Sequence, residues 1–211
     1  MEKTFSWLGA LACMIGMIAL SVLMAINFTY LYHWVIDRYR LIDITGLSRE
    51  SLIENYWHMI TYLQLPWIRE LHLPDFSISD TGRLHFEEVK AVFLGLYVVA
   101  IILIIVWLAL VIRGIRILPI FNRAANLTMS LFSVLGFLML LDFGRIFTWF
   151  HILIFNNDFW ILYPHLDPVI LALPYQLFLI KAFFVITMLF VFSLSIKFLY
   201  IRYYSPTESD V

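Results

Sequence analysis

"VFLGLYVVAIILIIVWLALV", Val92 to Val111, is a run of twenty residues with no charge and no proline. A helix rises about 1.5 Å per residue, so such a run covers the roughly 30 Å of a bilayer's hydrocarbon. Hydrocarbon offers no partner to an open N–H or C=O, so a run that stays there must be helical. Three more stretches qualify: Phe5–Phe28, Leu127–Leu141 continuing to Phe150, and Leu177–Ile196. The whole composition agrees. Of 211 residues 63% are hydrophobic and 14% charged, the mean hydropathy is +0.89, and soluble domains lie far from these values. The expected fold is an all-α integral membrane protein with four spans. Lys3 before the first apolar run suggests a secretory signal, but the run is far longer than a signal's apolar core and no small-x-small cleavage site follows. We read it as a retained helix.

Working outward from Val111, the connection to the next span carries Arg113, Arg116 and Arg123 and no acid. Basic residues close to span ends resist translocation, so this loop is expected inside, with both chain ends. The chain then divides into span one through residue 28, an outer cap at 29–88 and span two at 89–112. An inner loop at 113–125, span three at 126–150, an outer loop at 151–175, span four at 176–200 and an inner tail at 201–211 complete it.

Nine acids and five arginines lie between Thr29 and Glu88, which is no basic surface for nucleic acid. About 60 residues is too long for a structureless connection, so a small folded cap is expected. Ser48 can cap a helix starting at Arg49, whose Leu52, Ile53, Tyr56, Ile60 and Leu63 form one apolar face. "LHLPDFSIS", Leu71 to Ser79, alternates and precedes the turn residues Ser79–Gly82. It predicts a short strand or hairpin in an otherwise helical cap.

The single cysteine, Cys13, falls inside span one, so disulfide exchange and thiolate metal sites are excluded. Six histidines, His33, His58, His72, His85, His151 and His165, all fall in the outer segments. None is at the depth a haem-binding bundle needs, and no HxxxH or HExxH spacing supports zinc. Two stand apart by position: His85 directly before span two and His151 at the end of span three. Both lie at the depth of the outer surface, where adjacent helices can bring them together. An interfacial belt of amphipathic side chains explains either one taken alone.

The string from Phe147 carries more. Phe147-Thr148-x-Phe150-His151, Phe155, Asn157-Asp158-x-Trp160, Pro164, Asp167-Pro168-x-Ile170 and Pro174, with "LHFEEVK" at Leu84–Lys90 before span two, resemble the bacterial lipoprotein intramolecular transacylases. Length, four spans and one large outer cap agree over the whole chain. Phe178-Leu179 departs from the pattern, which has a second aromatic there. The resemblance implies a substrate: a diacylated lipoprotein whose N-terminal cysteine carries a thioether-linked diacylglyceryl group. It implies transfer of the sn-2 acyl chain to that cysteine's own α-amine, giving an N-acyl, S-monoacylglyceryl (lyso-form) lipoprotein. It also implies that His85 and His151 are catalytic and that the site faces the outer side of a bacterial cell membrane.

Independently of that likeness, exchanging an ester for an amide runs downhill and needs no nucleotide, cofactor or metal. Arg145 and Asn157 are candidates for stabilising the tetrahedral oxyanion. Phe150, Phe155 and Trp160, with Phe147, Trp149 and Phe159, are candidate walls for membrane lipid and substrate. Helix-end dipoles suggest His85 as base and His151 as acid. Asp142 and Lys181, charged inside spans, are expected to pair, or Asp142 to pair with Arg145. Two other classes remain open: a membrane protein without activity whose cap binds a partner or lipid, and a metal-dependent lipid hydrolase.

Overall fold

The computed structural model describes residues 2–204. Seven α-helices run in order: α1 (Glu2–Asn27), α2 (Tyr30–Arg38), α3 (Leu41–Thr45), α4 (Arg49–Gln64), α5 (Asp80–Ile112), α6 (Leu118–Phe155) and α7 (Tyr175–Tyr204). A short 3-10 helix, Pro168–Ala172, precedes α7. Helices α1, α5, α6 and α7 are each long and apolar enough to cross a membrane.

α1 sits at the centre of the bundle, packed on α5, α6 and α7. Small residues permit this approach: a Cβ on Gly9 would meet Ile120 at 2.9 Å and Trp107 at 3.4 Å, and close van der Waals packing replaces the hydrophobic effect between helices in lipid. α6 packs along α7, whereas α5 packs on α1 and α4 and makes little contact with α6 or α7 along its length. The two approach at Trp107–Phe121, with ring centroids 4.9 Å apart, and again near the cap.

α6 is interrupted at Asp142, whose φ of −157° and ψ of 85° are not helical. Its Oδ1 accepts from Arg145 N at 2.9 Å, as an N-cap does, so a second helix of three turns starts there and carries His151. The carboxylate also pairs with Arg145 Nε at 3.4 Å, the second of the two expected arrangements. Lys181 goes elsewhere. Its Nζ donates to Ala25 O at 2.6 Å, one of the last carbonyls of α1, where a cation meets the negative helix end.

The cap is α2, α3 and α4, closed by the 3-10 helix. Ser48 caps α4 by accepting from Ser51 N, and Leu52, Tyr56, Ile60 and Leu63 are buried while Ile53 packs at the edge. Each fully buried leucine or isoleucine there contributes about 1.5–3 kcal/mol. Tyr32 stacks on Tyr56 with centroids 3.9 Å apart, and its hydroxyl donates to Ala172 O at 2.9 Å. Burial pushes the ionisation of both phenols up, so Tyr32 keeps the proton it donates.

The expected hairpin does not form: there is no strand among the described residues. The partner of Leu71–Ser79 is helix α4, not another strand. Asn55 donates to Asp75 Oδ2 at 2.7 Å and accepts from Asp75 N at 3.2 Å. Leu71 and Leu73 are buried while His72 and Pro74 are exposed, so an extended segment lying on a helix produces the alternation.

Candidate active site

α5 begins earlier than its apolar run. Ser79, with extended backbone, accepts from Gly82 N at 3.0 Å and starts a helix that passes through "LHFEEVK" before entering the apolar run. His85 is therefore the sixth residue of α5 and not the residue before it, a correction to the expectation above. The helix-end field fades within the first turn, which removes the dipole argument for its role. The start of α5 is clamped from outside. Asp167, 1% exposed, accepts from Ser79 N at 2.7 Å through Oδ1, and Gly82 lies so close that a Cβ there would overlap that oxygen.

His151 lies one turn before the end of α6. Its Nδ1 is 2.7 Å from Phe147 O. A carbonyl can only accept, so Nδ1 carries the proton and Nε2 is left for chemistry. The ring is enclosed by Phe147 (4.1 Å between centroids), Trp160 (4.8 Å), Phe150 (5.4 Å) and Phe155 (5.6 Å).

The two histidines meet. Their ring centroids are 5.9 Å apart, and the edge of Phe155 packs against His85 at 4.9 Å. Both are 8% exposed. Two imidazolium rings this close would repel, and burial disfavours charge on either, so the two are not charged together.

The loop after α6 supports both rings. Asn156 takes the left-handed conformation, φ 53°, and ends the helix. Asn157 then acts in four directions: Nδ2 donates to Glu88 Oε1 at 2.7 Å and to Phe155 O at 3.0 Å, Oδ1 accepts from Phe159 N at 3.0 Å, and its carbonyl accepts from Trp160 Nε1 at 2.9 Å. One residue thus orients the indole that faces His151 and ties the loop to α5 three residues beyond His85. Asp167 and Asn157 hold α5 on either side of that histidine.

Of the sequence candidates, Phe150, Phe155, Trp160 and Asn157 gather around the histidine pair. Arg145 does not. Six residues at about 100° each set it roughly 120° around α6 from His151, and it is exposed and paired with Asp142. Phe147, a wall residue in the sequence reading, is the ring nearest His151, and Phe178 packs on it at 5.4 Å. Sequence reasoning assigned no task to Glu88 or Asp167. The signals were the three-residue spacing of Glu88 from His85 and the Asp-Pro start of the 3-10 helix. His33, His58, His72 and His165 lie apart from the pair, and no group of three metal-binding side chains occurs among the described residues.

A family model for lipoprotein intramolecular transacylase matches residues 7–178. Among solved structures, the membrane-integral lipoprotein intramolecular transacylase of Bacillus cereus is 26% identical, with a TM-score of 0.87 over 96% of this chain and 95% of that one. Two forms of the same Bacillus cereus protein, with a histidine replaced by arginine or by alanine, are 25% identical. They give TM-scores of 0.80 and 0.79 over 96% of this chain and 91% and 93% of theirs. No curated protein sequence matches. A four-span bundle, one helical cap and a match over most of its length place this chain in the lipoprotein intramolecular transacylase family.

Proposed function

We propose a mechanism for this acyltransferase in which the buried pair His85 and His151 moves the protons of an acyl migration within one lipoprotein. The substrate is the diacylglyceryl-cysteine of a lipoprotein, and the sn-2 acyl chain goes to the cysteine's own α-amine. Amine and ester carbonyl lie on one molecule, and their attack closes a ring of about eight atoms, which closes reluctantly unless the chain is held folded; such orientation is worth up to about 7–11 kcal/mol. The aromatic rings around His151 are suited to that task. Direct attack also fits the absence of a serine beside either histidine and the location of Cys13 inside α1.

The carrying observation is the hydrogen bond from His151 Nδ1 to Phe147 O beside a second imidazole. It leaves Nε2 of neutral His151 as a base for the amine proton, reversing the assignment that helix dipoles suggested. As nitrogen bonds to the carbonyl carbon, the ester C–O bond breaks. A proton returns to the departing glyceryl oxygen from the histidine pair. Asn157 supports the oxyanion at most through the loop it orders, because its side-chain amide is already engaged.

The sparse packing of α5 on α6 supports a route for the acyl chains from the bilayer to the pair between these two helices. The basic loop at Arg113–Arg123 supports an inner position for the opposite end, and with it a site at the outer surface.

Mass spectrometry of a lipoprotein's N-terminus, with and without this protein, tests the reading. The N-acylated lyso-form should appear with the wild type and be lost with His85→Ala and with His151→Ala at equal protein level. Near-normal turnover in either variant would remove that histidine from the mechanism.

A further inference from the structure

Glu88 lies three residues after His85 on α5. Its Oε1 accepts from Asn157 Nδ2, but Oε2 is sealed from solvent and has no hydrogen-bond partner. Among the described residues no lysine, arginine or histidine lies within ion-pair distance of it. Lys90, the nearest cation in sequence, is turned away, donating to Ile68 O with its ammonium over the Tyr62 ring. A carboxylate oxygen in that condition carries a desolvation cost that nothing in the chain repays. Native structures keep such groups rarely, and a ligand that supplies the missing partner is one physical reason to keep one.

The partner required is a compact cation that donates hydrogen bonds. In the chemistry proposed above, the substrate brings one: a free α-amine with a pKa of about 7.7–8.0 is mostly ammonium at neutral pH. We infer that, as the entering substrate displaces the side chains that cover it, Glu88 Oε2 receives the substrate's α-ammonium group, a subsite that selects free amino termini and sets the nucleophile beside the histidine pair. The inference rests on the proposed reaction. It adds a discrimination between substrate and product. One proton of the bound ammonium passes through the pair to water, leaving an amine; as the amine is acylated, its second proton passes through the pair to the departing glyceryl oxygen, leaving a neutral amide. The contact with Glu88 is then lost, so the finished lipoprotein is released.

The test uses two ligands that cannot react. Both are short peptides whose N-terminal cysteine carries a dialkylglyceryl thioether, with ether links in place of esters; one has a free amine and the other is N-acetylated. Purified wild type in detergent should bind the free amine more tightly by about 10-fold or more, the scale of a charge-assisted contact. Glu88→Gln keeps an acceptor for Asn157 and removes the charge, and the preference should fall to near one. His151→Ala should retain it. Equal binding of the two ligands by the wild type, or an unchanged preference in Glu88→Gln, overturns the inference. The wild-type comparison decides even where the variant does not accumulate. Conversion of the ester-linked peptide by wild type is scored separately. Failure there overturns the reaction itself, whereas conversion without amine preference overturns the Glu88 subsite alone.

Discussion

Gly82→Ala sets two calculable effects against each other. In a helix, alanine in place of glycine normally gains about 0.8–1.0 kcal/mol. Here the new Cβ would overlap Asp167 Oδ1 and stand 3.1 Å from both Asp167 Cγ and Ile78 Cγ1. Asp167 is 1% exposed and has no space to retreat into water, so it must release Ser79 N–H. Losing a hydrogen bond to a charged group costs about 1.5–3 kcal/mol, and more if the carboxylate is stranded. The clash wins, with a net loss of about 0.5–2 kcal/mol, and more if the carboxylate is stranded. Because His85 follows by less than one turn, acyl transfer should fall along with stability. Thermal unfolding in mild detergent reads the first effect and N-terminal mass spectrometry the second. Asp167→Ala removes the obstacle, so adding Gly82→Ala to that variant should cost little or even stabilise it. A Gly82→Ala protein as stable and as active as wild type, or an equal penalty in both backgrounds, would refute the clamp.

Cysteines introduced at Asp75 and at Arg116 should report opposite faces of the membrane to an impermeant thiol reagent in intact cells, and equal labelling of both would overturn the orientation. Two lipoproteins with different peptides, one with isotope-labelled acyl chains, should give products in which each peptide keeps its own label; label crossing between them, or entering from labelled phospholipid, would sink the intramolecular route. Lys181→Met should lower the thermal midpoint by an amount equivalent to about 1–3 kcal/mol, because Ala25 O loses its donor, and an unchanged midpoint would mean that bond contributes nothing. His33→Ala, His58→Ala and His165→Ala should leave most transfer intact, measured on the same lipoprotein, and a loss as deep as that of His151→Ala would place the chemistry elsewhere.

The spans were legible because hydrocarbon length is a one-dimensional requirement, readable from a run such as Val92–Val111. Where helices begin was less legible. The charges of "LHFEEVK" look like cap, yet Ser79 starts the helix before them, so His85 lies inside α5. The shared depth of His85 and His151 could be read from their distance to the apolar runs. What assembles the pair could not, since Glu88–Asn157 and Ser79–Asp167 join residues 69 and 88 positions apart. Arg145 shows a related limit: spacing along α6 gives its depth, whereas its angular position around the helix sets it roughly 120° from His151. Alternation at Leu71 and Leu73 suggested a strand because any extended segment with one covered face alternates, whether a strand or a helix covers it. Lys181 shows the same limit, since a buried cation can be satisfied by a helix's last carbonyls as well as by an acid.

The interruption of α6 at Asp142 bears on how the enzyme tolerates its own solvent. A bilayer grows thinner or thicker as acyl composition follows growth temperature, and continuous helices answer by tilting. In α6 the inner portion can tilt while the three turns beyond Asp142 follow α5, to which the succeeding loop is tied at Ser79 and Glu88. If it does so, the spacing between His85 and His151 should be the same in thin and thick bilayers, which distance measurements between labels on α5 and on the turns beyond Asp142 would read.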